Sequence, residues 1–132
     1  MNLTGPGFRR LWIAIIVLGV AAIVVASLLP FSAPSLDGGS DKIGHFLAYF
    51  MLALFSSGIV PAGRLWRLAV RCLLLGLGLE VAQAFLTETR QADWADMAAN
   101  AAGILAAWMI AAGGRAGWAR SVETWIAGRA GR

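Results

Sequence analysis

Charge is what this chain has least of. Only 14% of its 132 residues are Asp, Glu, Lys or Arg, against a hydrophobic share of 59% and a mean hydropathy of +0.73. Soluble globular domains carry about 25% charged residues, so a water-facing globule is excluded. Cysteine is limited to Cys72. With no partner in the chain, it excludes a disulfide framework and reads as a small apolar filler. No internal repeat and no low-complexity linker divides the sequence, and its length leaves room for one domain. Catalytic signatures are missing as well. There is no G-x-S-x-G and no H-E-x-x-H, and a lone His45 excludes a paired-histidine phosphatase pattern.

What the chain does have is long apolar runs. Residues 11–29 carry no charge, and 43–60 are broken only by His45 and a few hydroxyls. Residues 68–86 hold Arg71, Glu80 and Gln83, and the alanine-rich run 97–112 is interrupted by Asn100. Each approaches the ~20 residues that cross a ~30 Å hydrocarbon core. The expected fold is therefore all-α, a bundle of four transmembrane helices. Residues 1–112 form the membrane domain and 113–132 a tail.

The formal charge of +4 does not point to nucleic acid, because of where the charges lie. Arg9 and Arg10 precede the first run, Arg64, Arg67 and Arg71 surround the second connection, and Arg115, Arg120, Arg129 and Arg132 follow the fourth run. Lys42 and Arg90 fall on the other side, together with Asp37, Asp41, Glu88, Asp93 and Asp96. That asymmetry places both termini in the cytoplasm. The bilayer is the expected partner, with the arginines against anionic headgroups. Pro34 after Ala33 disfavours signal cleavage, so the first run is expected to be a retained anchor. In the tail, Trp118, Val122, Trp125 and Ile126 share one helical face, which suggests a short amphipathic helix in the inner interface. Trp12, Trp66, Trp118 and Trp125 read as interface anchors.

Polar residues inside the runs carry the functional signal, since an ionisable group in hydrocarbon is costly and faces a bundle interior or cavity. This topology places His45 roughly 3–6 Å below the outer boundary, Glu80 roughly 9 Å and Asn100 roughly 6 Å, at ~1.5 Å per residue. Three helices thus contribute to one outer-leaflet layer. Asp41, His45 and Tyr49 recur at i, i+4, i+8, and Gly76, Glu80, Gln83 and Thr87 at i, i+4, i+7, i+11. Asp93, Asp96, Asn100 and Gly103 follow i, i+3, i+7, i+10, so the fourth helix is expected to begin before the membrane. Ser40 or Asp41 can cap the second helix. Gly76 and the Gly44-xxx-Ala48 pair offer small surfaces for close helix approach. The first helix, purely apolar, is expected as a lipid-facing flank.

These residues carry a resemblance. Asp41-Lys42-Ile43-Gly44-His45-Phe46 leads into Tyr49-Phe50, then Glu80-Val81-Ala82-Gln83, then Arg90, Asp93, Asp96, Asn100 and Gly103. This succession, within residues 41–110, resembles the VanZ-like membrane proteins. The resemblance implies a bacterial inner (cytoplasmic) membrane protein, and a link to resistance against teicoplanin, a lipid-tailed glycopeptide. It implies no settled biochemical activity.

Three readings stand side by side. The cleft of Asp41, Lys42, His45, Tyr49, Glu80, Gln83, Arg90, Asp93, Asp96 and Asn100 could bind the head of a lipid-linked cell-wall intermediate or a lipoglycopeptide. Lys42 and Arg90 would suit a phosphate. A membrane-embedded hydrolase or transferase could instead use His45 as base and Glu80 as acid, with Asp93 and Asp96. Or the residues could form a purely structural polar network. His45 with Asp93 and Asp96 is a modest ligand set, so no metal and no cofactor is assigned. Gly/Ala-rich faces on the third and fourth helices leave room for a homo-oligomer.

Overall fold

The computed structural model describes residues 5–28, 39–86 and 93–130, and their regular structure is entirely helical. The helices are α1 (Pro6–Leu28), α2 (Gly39–Ser57), α3 (Leu65–Leu86), α4 (Trp94–Ile110) and α5 (Ala119–Ala130). A short 3-10 turn, Ala62–Arg64, leads into α3, and a π turn, Ala111–Arg115, extends α4. Pro6 suits the first position of α1, where its missing N–H is no loss. Asp93 caps α4: its backbone is extended and its carboxylate accepts the Ala95 N–H at 2.8 Å. As expected, α4 starts ahead of its apolar run. Beyond it the helix kinks at Gly113 and Gly114, and the φ of 98° at Gly114 is the left-handed conformation that glycine tolerates best.

Among the described residues, three segments are long and apolar enough to cross a membrane: Gly7–Leu28, Ala62–Leu86 and Trp94–Arg115. Large apolar side chains cover the outside, among them Leu18, Leu74 and Phe85, each more than half exposed. A surface so continuously apolar is what hydrocarbon, not water, would cover.

α2 and α4 share the most extensive interface. Gly103 makes it possible, since a Cβ there would overlap the Phe46 carbonyl oxygen and lie 3.0 Å from the Phe50 nitrogen. α3 closes on this pair through Gly76, where a Cβ would come within 3.2 Å of Asn100 Nδ2 and 3.4 Å of the Tyr49 ring. Tyr49, Leu52, Ala53, Cys72, Ile104 and Ala107 form the core between the three helices. Gly44 behaves differently from expectation. Nothing lies within 4 Å of its would-be Cβ, so it opens a groove instead of closing a contact.

At the Ser57 end of α2, Trp12 is buried and Trp118 half-buried, and each indole meets a backbone carbonyl. Trp12 Nε1 donates to the Phe55 carbonyl at 3.0 Å and Trp118 Nε1 to the Leu54 carbonyl at 3.1 Å. Their rings meet edge-on with centroids 5.0 Å apart. Both indole N–H groups are thus satisfied, as tryptophans at an apolar contact require. The tail is bound to this knot. Gly117 and Ala119 donate to the carbonyls of Ser57 and Gly58, and the Gly5 N–H donates to the Glu123 carboxylate at 2.8 Å. Trp66, Trp125 and Ile126 stay exposed, as interfacial residues would.

Candidate functional site

The opposite end of the bundle gathers the polar residues. Asp41 and His45 lie one turn apart on α2, with Asp41 in its first turn. Asn100 enters from α4, 1% exposed. His45 Nδ1 and Asn100 Oδ1 are 3.1 Å apart. The amide oxygen can only accept, so Nδ1 is the donor of this contact. Nε2 points to Asp96 Oδ2 at 3.7 Å. Asp96 Oδ1 accepts from Lys42 Nζ at 3.3 Å, and Lys42 also donates to Asp93 Oδ2 at 3.1 Å. Lys42 therefore clamps the first turn of α4 to the first turn of α2.

Glu80, only 4% exposed, accepts the Asp93 backbone N–H at 3.3 Å and so joins α3 to the start of α4. The Ala95 N–H, and next the Lys42 ammonium, hold the Asp93 carboxyl below its ordinary value of 3.8, so it is ionised at neutral pH. Tyr49 is buried against Gly76 beneath this layer. Among the described residues no buried side-chain nitrogen or oxygen lacks a hydrogen-bond partner.

Asp41, Lys42, His45, Glu80, Asp93, Asp96 and Asn100 thus come together, with Tyr49 directly below. Gln83 sits to one side, where its amide donates to the Ser27 carbonyl at 2.9 Å and ties α3 to α1. Arg90, like Thr87, lies outside the described residues. The carboxylate that accompanies His45 and Asp96 differs from the Asp93 of the ligand set weighed in the sequence. Asp93 is taken up by Ala95 and Lys42, while Asp41 brings an oxygen to within 4.8 Å of ligand atoms on His45 and Asp96.

A groove of about 370 Å³ opens beside this cluster, between α1 and α2. Asp41 and His45 stand at its head, Ala22, Ile23, Ala26 and Ser27 form the α1 wall, and Gly44, Ala48 and Tyr49 the α2 wall. A second hollow of about 310 Å³ shares Ile23 and Ala48 with it and continues down to Leu52 and Phe55. α1 is therefore more than a flank. Its signal was present as Gly19, Ala22, Ile23 and Ala26, an i, i+3, i+4, i+7 row of mostly small residues. From Asp41 to Phe55, the stretch of α2 that lines the two hollows, the helix rises about 21 Å at ~1.5 Å per residue.

The chain matches no protein-family model, no curated protein and no solved structure.

Proposed function

We propose that this chain is a VanZ-like integral membrane protein of the bacterial inner membrane. On this reading it binds a lipid-tailed or lipid-linked envelope molecule, head in the polar cluster and tail in the α1–α2 groove. The observation that carries the reading is the continuity of the two: an apolar trough lined by small residues ends on Asp41 and His45. A molecule with a hydrophilic head and an acyl chain matches both halves at once, whereas a soluble ligand would leave the trough unused. The glycopeptide link implied by the sequence motifs agrees with such a ligand.

The same proposal makes α2 the fourth span and puts both termini in the cytoplasm. Its 19 residues cover about 29 Å. Ile43, Leu47 and Met51, at i, i+4, i+8, form an exposed apolar face suited to lipid. Its polar residues face the other helices. Arg9, Arg10, Arg64 and Arg67 then lie on the cytoplasmic side, at the Trp12–Trp118 end.

A structural role for the same residues is supported by the fully satisfied network, and the two roles coexist. Catalysis has weaker support, because Ser56 and Ser57 are buried at the far end of α2 and the Ser57 hydroxyl is spent on the Leu54 carbonyl.

Filling the groove tests the proposal. In nanodiscs, Ala48→Phe is expected to weaken retention of a fluorescent lipoglycopeptide roughly tenfold, about 1.4 kcal/mol. Leu74→Phe, on the exposed side of α3, is expected to leave it unchanged. Equal retention by Ala48→Phe and wild type would contradict the proposal.

A further inference from the structure

The arrangement of Asp41, His45 and Asp96 has the features of a cation site. We propose that these three side chains hold one divalent first-row metal ion, of the Mn²⁺ or Zn²⁺ type, at the head of the α1–α2 groove.

The argument starts from the imidazole. Its Nδ1–H is committed to Asn100 Oδ1, the outer-shell hydrogen bond that fixes the tautomer of metal-bound histidines. The other ring nitrogen, Nε2, faces the Asp96 carboxylate. At 3.7 Å the Nε2–Asp96 Oδ2 separation exceeds the ~3.2 Å limit of a direct N–H···O bond. It is close to the ~3.4 Å expected between two ligands at 2.0–2.2 Å on one tetrahedral ion. Asp41, one turn before His45 on the same face of α2, supplies the third ligand atom, all three lying within 4.8 Å of one another.

The second oxygen of Asp96 is held by Lys42, so this carboxylate has the outer-shell support that ligating carboxylates receive. Charge points the same way. Among the described residues, Asp41, Glu80, Asp93 and Asp96 share this end of the bundle with one ammonium and one imidazole. One nitrogen and two carboxylate oxygens suit borderline cations, and three protein ligands leave a coordination position open toward the groove.

Continuous-wave and pulsed EPR with Mn²⁺ alone tests this on the tag-free full chain in detergent. Saturable uptake of one ion is expected, tighter than the ~1 mM of the weakest extracellular cation modules. Electron spin-echo modulation is expected to show an imidazole nitrogen, which must come from His45 because the chain has one histidine. Asp96→Asn and Asp41→Asn are each expected to weaken uptake at least tenfold, and Asp93→Asn less than threefold. Should the cluster variants not fold, the wild-type nitrogen signal decides alone. Absence of saturable binding, or binding without that signal, would overturn the site. The titration contains no lipid-tailed ligand, so its failure leaves the groove reading intact, and a failure of the groove reading leaves this one intact.

Discussion

Glu80 carries the strongest constraint of any single side chain here. A carboxylate in the middle of an apolar helix is tolerated only with partners, and the Asp93 backbone N–H supplies one. Gln keeps an oxygen in that place and Leu does not. Glu80→Leu is therefore expected to lose about 1–3 kcal/mol relative to Glu80→Gln, the cost of a buried N–H left unpaired. Thermal unfolding in one detergent measures the difference. Equal midpoints would mean that Glu80 does not hold the start of α4. His45 gives the complementary lesson. Its place on one face of α2 with Asp41 and Tyr49 could be read from the sequence, but the identity of its neighbour could not. The sequence grouped His45 with Asp93 and Asp96, whereas the Asp93 carboxylate accepts the Ala95 N–H and Asp41 comes close to His45 instead.

Among the elements, the α2–α4 contact sets the geometry on which the cluster depends. Gly103 is where the two backbones come closest, and overpacking at such a contact costs typically ~1–3 kcal/mol. Gly103→Ala is expected to lower stability by that amount and to separate His45 from Asn100. Gly78→Ala, with open space around it, is expected to be neutral or to stabilise α3 by about 0.5–1 kcal/mol. Chemical denaturation of both variants checks the contrast, and equal effects would contradict the close approach.

The helices and the polar layer were legible because hydropathy and helical spacing report burial directly. Gly76 was legible for the same reason. The positions of α1 and of Trp12 and Trp118 were not. Their partners are the carbonyl groups of Ser27, Phe55 and Leu54, and a backbone acceptor leaves no mark on the side chain that displays it. Trp12 and Trp118 have the residue type of interface anchors, and their indole N–H groups also meet such acceptors. Gly44 shows the converse, since a small residue in a helix reads equally as a contact or as one wall of an opening.

For the whole molecule, polarity is sorted along the bundle. One end is locked by aromatic rings, the tail and the Glu123–Gly5 contact. The other concentrates carboxylates, an imidazole and an ammonium around the mouth of an apolar groove. The contacts at the first end join α1 to α2 and the tail, while Gly44 and Ala22 line the opening nearer the polar end. Photolabelling tests this most directly, with a lipoglycopeptide carrying a diazirine in its acyl tail and labelled residues mapped by mass spectrometry. Adducts are expected on Ala22, Ala26 and Ala48, well above those on Leu18, Leu74 and Phe85. Labelling spread over those outward residues as bulk phospholipid would spread it, with the groove no richer, would contradict the account.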